Sequence, residues 1–539
     1  MSHSFLAFAL FSVLLTVPLS NVNCENILFF TGCGSYSQRI SVWPLVAALT
    51  EKGHQVTFLS AFESKNPHPN VFDYVPKKLK NWATNTMDTL NVYELRKKGA
   101  LLPFWFIGAP TFGITICEEI YSDPEAIAWI KSSKFDLVII DAFMNDCAYG
   151  MAHIFNAKII LFDTTTVLPW FYDSFGIPDD TSWVSDAVFS FPNEMNFIHR
   201  VLTAAATVYW KLFRELWYLP KLEAITKKGL ELDEIPSFSD IEKNTSLVFI
   251  TTHYSQEHAR AFPPNVIPIG GLALTGKAKP LPKDMEDFIN KGKAGFVYIS
   301  FGTVTEFSGF DEQIKKAFID AVLKFPHIQF IWKLTNDIDV QLPANFLISK
   351  WVPQQDLLAH PKIKAFVTHA GLGSVTESIY HAAPLIAFPI FAEQDYNAGL
   401  VESKGVGIKM EITNLKVEDL ENAILNLTTQ EKYKKQMQKV SKIFRERPMT
   451  ALQTALWWTE YVLKNDDTDY LKPSSMNQSW WVRRQVDVWL FISISFLLVS
   501  ITSLYTTYIL MKCITKRVLR SAGALPDSHK NSEKKVKLT

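Results

Sequence analysis

Cysteine is scarce here, five residues in 539, and neither sign of charge is in excess, with 54 lysines and arginines against 54 aspartates and glutamates. Cys24, Cys33, Cys117 and Cys147 are too few and too scattered for a disulfide scaffold, and Cys513 falls at the edge of an apolar segment. No cysteine spacing suits a structural metal. With formal charge balanced, nothing points to nucleic acid as a partner. Abundant phenylalanine and tryptophan point to apolar partners instead. Long hydrophobic runs are also few.

One such run, Phe5 to Leu19, followed by small and polar residues, reads as a cleavable signal peptide over residues 1–23, cut between Ser20 and Cys24. The other, Val488 to Met511, is long enough to cross a bilayer at about 1.5 Å per residue. Trp480, Trp481 and Trp489 precede it as an interfacial belt, and Lys512, Lys516, Arg517 and Arg520 follow it. Arg483 and Arg484 soften that contrast, but a cleaved signal commits the bulk of the chain to the lumen, giving a type I topology. Lys535 and Lys537, fifth and third from the end, have the spacing of a dilysine retrieval signal of the endoplasmic reticulum membrane. A basic stop-transfer flank would look similar. Sequons at Asn244, Asn426 and Asn477 are glycosylation candidates in a lumenal protein.

Between the ends, short apolar strands alternate with amphipathic helices, as in α/β domains with mostly parallel sheets. A first series of strands reads over 27–30, 55–60, 137–141 and 158–162, a second over 296–300, 329–333, 365–368 and 385–388, with a linker near Gly270, Gly271 and Lys277 to Pro282. Aromatic stretches, Leu101 to Phe112 with Trp105 and Phe106, and Trp170 to Phe191, suit an apolar pocket in the first half.

The stretch from Trp351 to Gln394 carries the most chemistry. A buried strand, Ala365 to Thr368, leads through a glycine-containing turn, His369 to Ser374, into a helix from Val375 onward. The unpaired amides of a helix start favour a phosphate. Gly371 and Gly373 allow close backbone approach, and Ser374 adds a hydroxyl. Trp351 offers a flat face for uracil, Gln354 an amide for its edge, Glu377 a carboxylate for ribose hydroxyls, and Glu393 with Gln394 the same for a sugar.

This ordered set, preceded by the turn Ser300-Phe301-Gly302-Thr303, resembles the signature box of the UDP-glycosyltransferase family, the membrane-bound animal enzymes and their soluble plant relatives. The resemblance extends from Asn26 to about Met511. It implies a GT-B fold, two Rossmann-like domains facing a cleft. Residues 24–268 are then an acceptor-binding domain, 269–485 a UDP-sugar-binding domain, 486–511 a transmembrane helix and 512–539 a cytosolic basic tail. Ala370 stands where the family often has glycine, Gly373 where asparagine is frequent, and Glu393 where aspartate is usual.

Inverting transfer to a hydroxyl needs a base, and a histidine oriented by a carboxylate suits neutral pH. In the family that histidine follows the first strand; here Gln38 holds its place, and an amide cannot take a proton. Asp141 matches the carboxylate partner, with Asp146 a weaker second candidate. The chain then transfers sugar to amines or ionised acceptors, or uses Asp141 directly, or has lost turnover and binds active relatives in the membrane. Asp337-Ile338-Asp339 has the spacing of a manganese-holding motif in another glycosyltransferase architecture, but lies in a polar loop-like stretch. No metal and no cofactor is expected; the UDP-sugar, glucose or glucuronic acid, is a co-substrate. The implied partners are a small lipophilic acceptor, the lipid bilayer through one span, and homo- or hetero-oligomers with family members.

Overall fold

A computed structural model describes residues 24–178, 180–192, 194–335 and 341–524. The signal peptide, the Asp337–Asp339 motif and Lys535 and Lys537 of the C-terminal tail lie outside the described residues. Two parallel sheets dominate. The first is ordered β3-β2-β1-β4-β5-β6-β7, from β1 (Asn26–Thr31), β2 (Gln55–Ser60), β3 (Val71–Tyr74), β4 (Leu137–Asp141), β5 (Lys158–Asp163), β6 (Leu247–Ile250) and β7 (Val266–Pro268). The second is ordered β10-β9-β8-β11-β12-β13, from β8 (Phe296–Ser300), β9 (Gln329–Lys333), β10 (Phe346–Ser349), β11 (Ile363–Thr368), β12 (Leu385–Ala387) and β13 (Gly407–Lys409).

Central strands such as Leu-Val-Ile-Ile-Asp of β4 are buried along their whole length because helices cover both faces of a parallel sheet. The helices that matter below are α1 (Tyr36–Glu51), α2 (Val92–Lys97), α3 (Leu101–Tyr121, with a π-turn at Phe104–Gly108), α4 (Phe197–Phe213), α5 (Gln354–Leu358), α6 (Leu372–His381), α7 (Gln394–Ser403), α8 (Ala451–Lys464) and α9 (Val486–Ser521).

The two halves exchange helices. Val92 and Tyr93 of α2 are buried in the second core with Phe301, Phe307 and Phe310. Conversely, Ala451, Ala455 and Val462 of α8, which follows the second sheet in the chain, pack on the first sheet against Phe29, Phe58 and Leu247. Lys158 on β5 donates to the carbonyls of Val462 (2.9 Å) and Asn465 (3.0 Å), capping the end of α8, and His54 meets Glu460 at 2.8 Å. Residues through Pro473 form one compact unit.

Residues from Ser474 form a second unit, described by itself. Its main element is α9, 36 residues long and without a buried residue. It is long and apolar enough to cross a membrane, and its last turns carry Lys512, Lys516, Arg517 and Arg520. By length and composition α3 passes the same test, a second span the sequence reading did not count. But α3 packs against helices of the first domain and buries Ile116, Cys117 and Ile120, as a core helix does.

Candidate functional site at two strand-order reversals

In a doubly wound sheet, a crevice opens at the carboxyl ends of the strands where the strand order reverses. The first sheet reverses between β1 and β4, the second between β8 and β11. Gln38 and Asp141 follow β1 and end β4; Ser300 to Thr303 and His369 follow β8 and β11. The fold therefore puts residues far apart in sequence at one kind of place.

At the second reversal the ring of His369 is seated between two glycines. A Cβ on Gly302, whose φ is +86°, would lie 2.6 Å from the ring, and one on Gly371 also 2.6 Å from it. Gly371 caps α6, so the helix opens at Leu372 rather than Val375, and Ser374 occupies its first turn while Glu377 falls in the second. Ala370 takes the left-handed φ of 62°, the conformation for which glycine is the unstrained residue. Around Gly373 there is open space.

Burial and the charge of Lys333 push the His369 pKa down to about 4, so the imidazole is neutral. Gln354 opens α5 and is held on three sides: its Oε1 accepts from Tyr298 at 3.0 Å, and its Nε2 donates to Ser374 (3.3 Å) and Glu377 (2.5 Å). Glu377 also accepts from Gln355 at 3.2 Å, and burial raises its pKa against those hydrogen bonds. Trp351 stands free, 68% exposed. Ser300 is buried and accepts from the Gly302 N–H (3.3 Å), while Thr303 is exposed.

At the first reversal Gln38 occupies the third position of α1. Its Oε1 accepts from the Ser35 N–H at 2.7 Å, and its Nε2 donates to Asp141 Oδ2 (3.2 Å) and Thr164 Oγ1 (3.1 Å). Thr164 in turn donates to Asp141 at 3.2 Å, and the Phe143 N–H does so at 3.1 Å. Asp141 is 4% exposed, and burial raises its pKa to about 7 in spite of these three donors. Gln38 thus covers and orients the carboxylate without being able to relay a proton.

Elements from both halves meet between the reversals. Trp105 of α3 packs on Phe143 (5.5 Å between centroids), and Phe104 packs on Phe391 (5.3 Å), beside Glu393 and Gln394. Glu393 caps α7, lies within reach of the Leu372 N–H (3.4 Å), and has its pKa raised by burial. Gln394 is turned inward, its Oε1 accepting from the Ile390 and Phe391 N–H groups at 2.9 Å. Arg96 of α2 reaches the same loop, bonding Asp395 (2.7 Å) and Glu411 (2.9 Å), and Lys409 pairs with Asp395 at 3.3 Å. Trp170 is a buried residue, packed on Trp210 (5.3 Å) and under the Arg214 guanidinium (4.6 Å).

Asp146 is not a second base. Arg214 holds it at 2.8 Å and also bonds Glu242, a buried triad inside the first domain. Sequence reading missed Thr164 and Lys333. Both end or follow strands at the carboxyl edge of a sheet, and that position was the available signal. Of the sequons, Asn244 and Asn477 are exposed, whereas Asn426 sits half-buried inside a helix and bonds Gln430.

A family model described as "UDP-glucoronosyl and UDP-glucosyl transferase" matches residues 33–524. UDP-glucosyltransferase 2 of Dactylopius coccus is 29% identical over 498 residues, 92% of this chain and 94% of that protein. UDP-glucuronosyltransferase 2B33 of Macaca mulatta is 26% identical over 528 residues, 93% of this chain and 96% of that protein. Among solved structures, the spinosyn forosaminyltransferase SpnP matches with a TM-score of 0.54 at 13% identity, covering 82% of this chain and 100% of that one. The calicheamicin glycosyltransferase CalG4 matches at 0.53 and 15%, covering 82% and 99%.

Proposed function

Because the chain belongs to the UDP-glucoronosyl and UDP-glucosyl transferase family and has the GT-B architecture, we propose that this UDP-glycosyltransferase moves a neutral hexose, glucose being the reference case, from its UDP donor to a small lipophilic amine or already ionised acceptor. The observation that carries the acceptor class is the Gln38 amide, fixed by Ser35, Asp141 and Thr164 where a base would have to stand. The acceptor lone pair attacks C1 as the bond from C1 to the phosphate oxygen breaks, inverting that carbon. UDP leaves with the electron pair. An amine sheds its proton only after the new bond has formed, so no base is needed beforehand.

The uracil stacks on Trp351, the ribose meets Glu377, and the diphosphate faces the amides of α6 with Ser374. The neutral-sugar reading rests on the charges beside Glu393: Arg96 and Lys409 are already engaged by Asp395 and Glu411, and a second carboxylate on the sugar would meet Glu393 instead of a spare cation. Phe104, Trp105 and Phe143 form the apolar wall for the acceptor. A lumenal, type I placement in the endoplasmic reticulum membrane, anchored by α9, completes the reading. The relatives, all named as transferases, lend nothing to the reading as a non-catalytic partner.

The test is transfer from labelled UDP-glucose and UDP-glucuronate by membranes carrying the chain, with matched amine and phenol acceptors. Transfer of glucose to unprotonated amines, with neutral phenols left untouched, is the expected pattern. Phenols and amines conjugated at equal rates at pH 7 would sink the acceptor assignment. Separately, Trp351→Ala is expected to weaken UDP by about 1–3 kcal/mol through lost base stacking. Its melting temperature should not move, since the ring is exposed; calorimetry with UDP and a thermal melt read the two effects.

A further inference from the structure

Lys333 ends β9, the strand next to the β8–β11 reversal, and lies partly buried. Its Nζ donates to the Gly302 carbonyl at 3.2 Å, placing the ammonium on the turn that seats the His369 ring. Among the described residues it has no ion-pair partner. Glu306 and Glu377 act on it only at longer range, and so does the like charge of Lys65 from the first domain. Burial and Lys65 together push the Lys333 pKa down. Lys65 is itself exposed and without a carboxylate partner among the described residues; its Nζ lies 4.8 Å over the Tyr36 ring, at the start of α1.

The imidazole beside Lys333 is neutral, so it adds no second charge there. A partly buried cation with no counter-charge is costly unless an anion arrives to neutralise it. The amides at the start of α6 point partial positive charge at the same place, but Lys333 supplies the full one. We propose that Lys333, seated on the Gly302 carbonyl, neutralises the diphosphate of the nucleotide-sugar donor.

This rests on the donor site of the proposed function and adds how its charge is balanced. As the bond from C1 to oxygen breaks, the electron pair settles on the β-phosphate, and the ammonium stabilises that oxygen as it becomes more negative. Lys333 then acts on departure of the leaving group as well as on binding.

The test compares UDP with uridine on the full chain, by calorimetry, for the parent, Lys333→Met and Lys333→Arg. Lys333→Met should lower UDP affinity by about 30-fold or more, leave uridine unchanged, and flatten the dependence of UDP binding on salt. Lys333→Arg should restore most of the loss, because the charge returns. UDP binding unchanged in Lys333→Met, or UDP and uridine weakened alike, would overturn the inference, the second result marking a merely structural role. Failure of the parent chain to bind UDP at all would instead remove the donor site on which both readings stand.

Discussion

Gln38→His is expected to give the enzyme hydroxyl acceptors, with phenol glycosylation rising by about 10²–10⁴-fold, the ordinary range for a positioned general base. The Gln38 Nε2 already lies 3.2 Å from Asp141, so an imidazole at this position comes within reach of the carboxylate that would fix its tautomer. Asp141, held near pKa 7 by burial, would lose its proton to become the counter-ion of the imidazolium. The gain should follow pH, rising as the imidazole loses its proton. There is a cost in stability of about 1 kcal/mol, because the Gln38 Oε1 that accepts from the Ser35 N–H is half of a capping box. Adding Asp141→Asn to Gln38→His should abolish most of the gain. A Gln38→His enzyme that binds UDP, glycosylates amines normally and still ignores phenols would show that something other than the missing base excludes them.

Arg214→Met is expected to destabilise the first domain by about 3–5 kcal/mol, the usual consequence of removing one member of a buried ionic group. The guanidinium bonds Asp146 (2.8 Å) and Glu242 and covers the Trp170 ring at 4.6 Å. Methionine fills part of the space but leaves two buried carboxylates facing each other. For a chain of this size the practical readout is the rate of thermal inactivation at fixed temperature and pH 8. Parent-like inactivation at pH 8 would mean that the triad contributes nothing.

The interior strands were legible because a parallel sheet buries both faces, turning each strand into a continuous apolar run: β1, β2, β4, β5, β8 and β9 all read correctly. Of the five strands that escaped notice, β3, β7, β10 and β13 are sheet edges, and β6 is only four residues long. An edge such as Val71–Tyr74 or Phe346–Ser349 is half-exposed, so its apolar signal is diluted. The start of α6 was misplaced by three residues because Gly371, read as part of a phosphate turn, is also the residue that caps the helix.

In the candidate site, the residues proposed to hold the donor come mostly from one continuous stretch of sequence, whereas pairings across the fold leave no local sign. Asp146 looked like a second base because its partner, Arg214, is 68 residues away. Thr164, 126 residues from Gln38, gave no local sign that it would join Gln38 to Asp141. Lys333 read as the polar end of an apolar strand, and only the strand order shows that this end lies at the mouth of a crevice.

The helix exchange between the halves also governs how the chain is made. The strands of the first sheet have all been synthesised once Pro268 is complete, but the α8 residues that cover part of it end near Lys464. About 200 residues separate the two events, which at ordinary elongation speed is roughly 10–40 s. Throughout that interval Phe29, Phe58 and Leu247 lack part of their final cover, while α2 waits for a second core that does not yet exist. The first sheet therefore receives its last covering helix only after the whole second sheet has been made.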